Sequence, residues 1–425
     1  MEDEDYRGAS YVYGWSFYSQ GVTEQTRASA DAFFNDCLNW CGHGGKPPDS
    51  QVEKGKLLAR ILGPKRALLL LDGLEPLQYP PGPMCGRLKD QAMAVLLKGL
   101  SRSFAGLCVI TSRCEVEEIK TTKGRTTFTC DLENLDEEAG KRLLESYGTK
   151  GPERELRDAS NEFKGHALGL HLLGSYLKTV HQGDIRKRDT IAKLTTEEKY
   201  GGHAKRVMES YELWFKKENK PEPAVLYLLG LFDKPAETEA IEVLKKKPPI
   251  PGLTGGLTDM TRDNWQRILS HLRELRLISQ SGPSGLDCHP LVREHFGEKL
   301  MRDNPGAWKE AHRRLYEYYK NLPEKELPDT LEEMEPLFAA VRHGCLAGKH
   351  QEVLDDVFWE RIRRKNEHYI NSKLGAFGAN LSCLSYFFEI PWRKPAPGLT
   401  EHDKAVVLNW AGFALRALGR IGEAL

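Results

Sequence analysis

The chain has 425 residues, which is enough for about three domains. Its 61 Lys and Arg residues balance 61 Asp and Glu residues, and a formal net charge of zero gives no general attraction to nucleic acid or to a membrane surface. The start of the chain lacks the basic and apolar segments of a secretory signal, and no apolar run is long enough to span a bilayer, so we expect a cytoplasmic protein.

The first 150 residues alternate between strand-like and helix-like patterns, which predicts a parallel sheet. Residues 10–17 are aromatic and β-branched and predict a strand. Apolar residues at helical spacing predict helices over 29–41 and 51–62, with a loop rich in Gly and Pro between them.

Two short apolar segments predict the interior of that sheet. Residues 67–71 end at Asp72, and residues 107–110 run into Thr111, Ser112 and Arg113. A helical pattern between them predicts a right-handed βαβ crossover. Neither segment alternates apolar with polar residues, which is typical of strands covered on both faces. A third strand is predicted over 126–132.

Beyond residue 151 the pattern becomes helical. Residues 153–176 predict two helices that are interrupted at Gly165. A helix over 265–276, a turn over 281–285 and a helix from Pro290 predict a winged-helix unit. The last 18 residues, 408–425, resemble the first half of a tetratricopeptide repeat, so we expect the chain to stop within a repeat.

The two strand ends carry the residues with the clearest chemical use. A carboxylate that follows an apolar parallel strand lies at the edge of the sheet where α/β proteins bind ligands. Asp72 is therefore a candidate magnesium and catalytic residue, and Glu75 could orient or deprotonate an attacking water. Arg113 ends the neighbouring strand and could contact a γ-phosphate, with Thr111 and Ser112 orienting the phosphates or the water.

The order of these segments resembles that of the STAND signalling NTPases, in particular the NB-ARC and NACHT-like members. Residues 68–75, Leu-Leu-Leu-Leu-Asp-Gly-Leu-Glu, resemble a Walker B motif, and residues 109–113, Val-Ile-Thr-Ser-Arg, resemble a sensor strand. Residues 11–20 resemble the strand that follows the P-loop helix. Residues 165–177 resemble the Gly-Leu-Pro-Leu helix start, and residues 288–296 resemble the Met-His-Asp segment of the winged helix.

This resemblance implies a role for each matching residue. Asp72 would coordinate magnesium, Glu75 would assist the water and Arg113 would sense the γ-phosphate. The adenine side would be formed by Gly165, Ala167 and Leu168, and His289 would contact the β-phosphate of ADP. Two departures from the family pattern bear on these roles, Ala167 in place of Pro and Pro290 in place of Asp.

One essential motif is missing from the sequence. A P-loop requires Gly-x-x-x-x-Gly-Lys-Ser/Thr, and the nearest approximation, Gly44-Gly45-Lys46-Pro47, has proline where a hydroxyl is needed. The resemblance places the P-loop before Met1, so we expect a truncated chain. ATP or ADP and Mg²⁺ would be cofactors only if the missing loop were supplied. The family is a slow ATPase, and this chain alone is expected to be inactive.

The predicted fold class is α/β followed by all-α: a P-loop-NTPase-like parallel sheet without its first strand, a helical domain, a winged helix and helical repeats. The predicted domains are a partial NTPase domain, a helical domain, a winged-helix domain, a helical linker or sensor and the start of the repeats, over 1–150, 151–250, 251–305, 306–398 and 399–425.

Three functions remain open on the sequence. The first is a nucleotide-dependent switch that opens and oligomerises with ATP and binds protein partners through its repeats. The second is a non-catalytic interaction scaffold. The third is a DNA-binding regulator that uses the winged helix, although Glu274 and the neutral overall charge dilute its arginines, so nucleic acid and membrane are not expected as partners.

Overall fold

The computed structural model describes residues 6, 8–17, 29–45, 48, 50–79, 84–112, 114–132, 134–191, 202–281 and 285–424. These residues divide into two compact units. The first unit combines the two ends of the chain, residues 1–129 and 312–425, and the second is formed by residues 130–311. Within the described residues, no helix is both long and apolar enough to cross a membrane.

The first unit contains a three-stranded parallel sheet in the order β1-β2-β3. Its elements follow one another along the chain as β1 Tyr11–Ser16, α1 Asp31–Trp40, α2 Gln51–Leu62, β2 Ala67–Asp72, α3 Gln91–Arg102 and β3 Leu107–Ile110. Strands β2 and β3 are parallel and joined through α3, so the predicted βαβ crossover is confirmed.

Helices α2 and α3 begin at residues that can accept hydrogen bonds from free backbone N–H groups. The Ser50 side chain accepts from Glu53 N, and the Asp90 side chain accepts from Met93 N at 2.8 Å. Both arrangements are N-caps, which replace hydrogen bonds that the first turn of a helix lacks.

One face of the sheet is covered by the core of the first unit. Tyr13, Leu69 and Leu71 lie on this face and belong to a single apolar cluster with residues of α1, α2 and α3. The opposite face is partly open: Leu70 is 37% exposed and its register partner Val109 is 41% exposed. The prediction that both faces are covered is therefore wrong at Leu70 and Val109. It holds at Leu68, which lies on the same face as Leu70 and is only 3% exposed.

The predicted strand over 126–132 is also wrong. Thr126 N and Thr127 N both donate to Thr122 O, at 3.2 and 3.3 Å, so the backbone forms a local turn instead of a ladder. Phe128 and Leu132 are 81% and 91% exposed, so the large apolar side chains of this segment do not pack into a core. Strand-like composition here is not accompanied by a partner strand or by burial, and both are needed to fix a strand.

The C-terminal part of the first unit is helical, with one short antiparallel pair of strands. Its elements are α13 Leu331–Leu346, α14 His350–Val353, a π-helix Leu354–Arg363, α15 Tyr369–Ser372, α16 Phe377–Leu384, β6 Phe388–Ile390, β7 Lys394–Pro395, α17 Glu401–Ala417 and α18 Ile421–Ala424. Helix α12, Pro305–Lys320, begins in the second unit and continues into the first. The later part of helix α17 and the whole of α18 lie in the segment 408–425, which resembles a tetratricopeptide repeat.

The second unit is mainly helical. Its elements are α4 Glu137–Ser146, α5 Glu153–Glu162, α6 Ala167–His181, α7 Gly202–Lys217, α8 Glu222–Leu229, α9 Thr238–Lys245, α10 Arg262–Glu274, β4 Ser279–Ser281, β5 Gly285–Asp287 and α11 Pro290–Asp303. The predicted break at Gly165 falls between α5 and α6. From α10 to α11 the order is helix, antiparallel strand pair, helix, and the winged-helix assignment stays a prediction.

Candidate functional site

The candidate site is built from the carboxyl ends of the three parallel strands. Asp72 is the last residue of β2, Ser16 is the last residue of β1, and Thr111 follows the end of β3. Ser16 and Asp72 are register partners in adjacent strands. Because parallel strands end at the same edge of a sheet, three polar side chains converge there.

The Asp72 carboxylate accepts a hydrogen bond on each oxygen. Thr111 Oγ1 donates to Oδ1 at 2.7 Å, and Ser16 Oγ donates to Oδ2 at 3.1 Å. The Asp72 side chain is exposed, so these bonds orient the carboxylate while leaving it accessible to solvent. An oriented, accessible carboxylate flanked by hydroxyls is a set of hard oxygen ligands, which suits Mg²⁺ or water bound to it.

The backbone around Asp72 is also tied to the neighbouring strand. Gly73 N donates to Thr111 Oγ1 at 2.7 Å, and Leu74 N donates to Thr111 O at 3.0 Å. Gly73 has a φ of +67°, a conformation that favours glycine. The Thr111 hydroxyl thus accepts from the turn after β2 and donates to the carboxylate, so it fixes both.

Glu75 begins a short 3₁₀ turn, Glu75–Leu77, directly after β2. Its side chain is half-buried, and within the described part of the chain its Oε2 atom is buried without a hydrogen-bond partner. A buried carboxylate oxygen normally has a partner, so this atom is suited to accept a hydrogen bond from a bound molecule.

Ser112 is directed elsewhere. Its hydroxyl donates to Gln78 Oε1, and the Gln78 amide in turn donates to Gly86 O and Cys114 O at 3.0 and 3.2 Å. The structure therefore brings Thr111, but not Ser112, into contact with Asp72. Arg113, the predicted γ-phosphate sensor, lies outside the described residues.

The remaining predicted nucleotide residues belong to the second unit. Gly165 has a φ of +64°, and a Cβ atom there would lie 1.9 Å from Leu135 O, so close backbone packing requires glycine. Ala167 and Leu168 open helix α6, whose N-cap is His166: its Nδ1 accepts from Gly169 N at 3.0 Å. Burial lowers the pKa of His166, which favours the neutral ring that this bond needs.

His289 is exposed and is the N-cap of α11, where its Nδ1 accepts from Leu291 N at 3.2 Å. Pro290 occupies the first helical position, where its fixed φ is compatible with the helix. The sequence motif therefore has a structural role at this helix start, and the phosphate contact of His289 stays a prediction.

Ser16 is the site residue that the sequence interpretation missed. The available signal was positional, because β1 and β2 end in a polar residue and a polar residue directly follows β3. Within the described residues, no group of three or more His, Cys, Asp or Glu side chains is arranged to hold a metal ion. Asp72 is the only charged side chain in the described Ser16–Asp72–Thr111 hydrogen-bonded group.

The fold of the chain is similar to that of a solved structure, the signal transduction ATPase with numerous domains (STAND) protein with a tetratricopeptide repeat sensor from Pyrococcus horikoshii. The TM-score is 0.51 at 14% sequence identity, and the similarity covers 99% of this chain and 61% of that chain. The chain thus spans less than two thirds of the length of the protein it matches. At this identity the similarity concerns the fold alone.

A Walker-type ATPase of Pyrococcus abyssi also matches, at 16% identity over 58% of this chain and 65% of that chain, with a TM-score of 0.21. A scan against protein-family models gives no match. A search of curated proteins gives none either. The α/β fold followed by helices, similar to that of a STAND protein, is the coarse relation that these comparisons establish.

Proposed function

We propose that this chain carries the magnesium-coordinating and phosphate-sensing part of an ATP/ADP-dependent signalling switch of the STAND type. The observation that carries the proposal is the Asp72 carboxylate, held by Ser16 and Thr111 at the carboxyl edge of a parallel sheet. The fold similarity to a STAND protein supports the same assignment.

In this proposal Asp72 holds Mg²⁺ or its water, and Thr111 and Ser16 keep the carboxylate oriented. A bound Mg²⁺ would neutralise charge on the phosphates. Glu75 would accept a proton or hydrogen bond from the water through Oε2, the buried oxygen that has no partner in the described structure. Arg113 remains the proposed γ-phosphate sensor, because a guanidinium can bind phosphate oxygens through two parallel bonds.

The nucleotide contacts of Gly165, Ala167, Leu168, Ser112 and His289 also remain proposals that rest on the family resemblance. Binding energy that differs between the ADP and ATP states would drive opening and oligomerisation. The C-terminal helices would contribute protein-binding repeats.

A nucleotide-retention experiment tests this proposal. The complete reading frame that contains this chain is expressed, and the nucleotide released on denaturation is identified by chromatography. We expect ADP in the wild-type protein and its loss in Asp72→Asn. Glu53→Gln is the matched control, since Glu53 is an exposed carboxylate on α2. A complete protein that neither retains nor binds ADP or ATP would refute the assignment.

A further inference from the structure

Two cysteine thiols outside the Asp72 site lie within reach of each other. Cys85 Sγ and Cys114 Sγ are 3.4 Å apart, although the residues are 29 positions apart in the chain. Cys85 is exposed and Cys114 is half-buried. Cys85 precedes α3, and Cys114 lies in the segment that follows β3. The two thiols therefore lie close together although they belong to separate segments of the chain.

Hydrogen bonds from both side chains and backbone hold the two loops together independently of the thiols. The Gln78 side-chain amide donates to Gly86 O and to Cys114 O. Gly86 directly follows Cys85, so this one amide contacts both cysteine-bearing segments. Glu117 N donates to Gly86 O at 3.3 Å, and Glu118 Oε1 accepts from Leu88 N at 3.0 Å.

Gly86 explains how the loops come so close. Its φ is +79°, and a Cβ atom at this position would lie 2.2 Å from Glu115 O. Any larger residue would push apart the segments that carry Cys85 and Cys114. A disulfide has an S–S length of about 2.05 Å, so closing the remaining gap requires side-chain rotation and small backbone adjustment.

We propose that Cys85 and Cys114 are a redox modification site that forms a reversible intramolecular disulfide. Exposed thiols react first, so Cys85 attacks a peroxide oxygen, the O–O bond breaks, and one water leaves as Cys85 becomes a sulfenic acid. Cys114 then attacks that sulfur, the S–O bond breaks, the S–S bond forms and a second water leaves. Two thiols lose two electrons in total, one hydrogen peroxide is reduced, and thiol–disulfide exchange with a dithiol restores both.

The disulfide would change the segment that contains the predicted phosphate sensor. Cys114 N donates to Ser112 Oγ at 3.3 Å, and Ser112 is bonded to Gln78, which spans both loops. Oxidation would therefore restrict Ser112 and Cys114. This regulatory consequence rests on the proposed nucleotide function, whereas formation of the disulfide does not.

Peptide mapping of the full chain tests the modification directly. The protein is treated with a stoichiometric amount of hydrogen peroxide, remaining thiols are alkylated, and the chain is digested with trypsin without reduction. We expect the peptides 67–87 and 114–120 to be joined, and the number of free thiols to fall by two from the original nine. Dithiothreitol should restore both thiols.

The variants Cys85→Ser and Cys114→Ser should each abolish this joined peptide. Cys130→Ser is the matched control, because Cys130 is exposed and lies outside the pair, and this variant should still lose two thiols on oxidation. The wild-type disulfide should also raise the midpoint of thermal unfolding by a few degrees, since it closes a loop in the unfolded chain.

Independent oxidation of Cys85 and Cys114 without a joined peptide would overturn the proposal, as would a disulfide found only between two chains on a non-reducing gel. A joined peptide in a complete protein that binds no nucleotide would support the redox site and refute the switch. Nucleotide binding without a joined peptide would refute the redox site and support the switch.

Discussion

Two aspartates of the first unit show how the same side chain is used in opposite ways. Asp31 is 1% exposed and accepts from Lys54 Nζ at 2.9 Å, from Ser29 Oγ at 3.0 Å and from Ala379 N at 3.0 Å. Asp72 is exposed, and its carboxylate accepts only from neutral hydroxyl donors in the described structure. Asp31 is neutralised by the protein itself, whereas Asp72 keeps an accessible charge.

The difference indicates which carboxylate is structural and which is available to a ligand. A buried ion pair is costly to break, because removing one partner leaves the other charged and desolvated. An exposed carboxylate contributes little to stability, so its charge is available for binding a ligand. The four predictions below test this distinction through stability, pH dependence and ligand binding.

The largest effect is expected for Lys54→Met. This change leaves the Asp31 carboxylate buried without a cation, so we expect the free energy of unfolding to fall by about 3–5 kcal/mol in urea titrations. Lys56→Met is the control, since the Lys56–Glu53 pair is mostly exposed, and it should cost about 0.5 kcal/mol or less. If both variants lost the same small amount, the structural role assigned to Asp31 would be wrong. The pair Asp31→Asn with Lys54→Met should recover part of the loss.

The second effect concerns Asp90, which caps α3 beside the Asp31–Lys54 pair. Burial, together with the charge of Asp31, raises the pKa of Asp90 from 3.8 to about 6. The folded state therefore binds more protons than the unfolded state between these values, and this group makes stability fall as pH rises from about 4 to about 6.

Asp90→Asn should remove this pH dependence, which is on the order of 2–3 kcal/mol, because asparagine caps the helix without ionising. Urea titrations at several pH values measure it. Asp136→Asn, an exposed cap of α4, should leave the slope unchanged. A slope in Asp90→Asn that equals the wild-type slope would contradict the assignment.

A smaller effect is expected for Thr111→Val. Loss of the hydroxyl removes the acceptor of Gly73 N and the donor to Asp72, which should cost about 1 kcal/mol of unfolding free energy. Thr111→Ser keeps both bonds and should stay close to wild type. A Thr111→Val variant as stable as the wild type would contradict the role assigned to these two hydrogen bonds.

The smallest effect on stability is expected for Asp72→Asn, within about 0.5 kcal/mol. Mg²⁺ with ATP or ADP should raise the melting temperature of the complete protein. Asp72→Asn should abolish this rise, because it removes the carboxylate charge that would bind Mg²⁺. Thermal scans with and without nucleotide measure both quantities. A large loss of stability would mean that Asp72 is structural, like Asp31.

The sequence predicted the βαβ crossover and the place of Asp72 because both depend on local pattern: an apolar run that ends in a carboxylate. The position of Thr111 followed from the parallel strands. The segment 126–132 misled the prediction, since its composition favours a strand but its backbone bonds are local.

The Asp31–Lys54–Ala379 contact could not be predicted from the sequence. Asp31 and Ala379 are 348 positions apart, and no periodicity encodes such a contact. Ser16 was missed for a different reason. A serine at a strand end can be assigned to the site only when the strand that pairs with it is known. Local pattern thus predicted β1, β2 and β3, whereas the side chains around each carboxylate depended on tertiary structure.

The partly open face of the sheet bears on how the isolated chain should be handled. Leu70 on β2 is 37% exposed, and Leu107 and Val109 on β3 are 57% and 41% exposed. Because attraction between apolar surfaces weakens on cooling, sedimentation should show self-association that grows with protein concentration and diminishes in the cold. Replacing Leu107 with a polar residue should keep the protein dispersed at higher concentration.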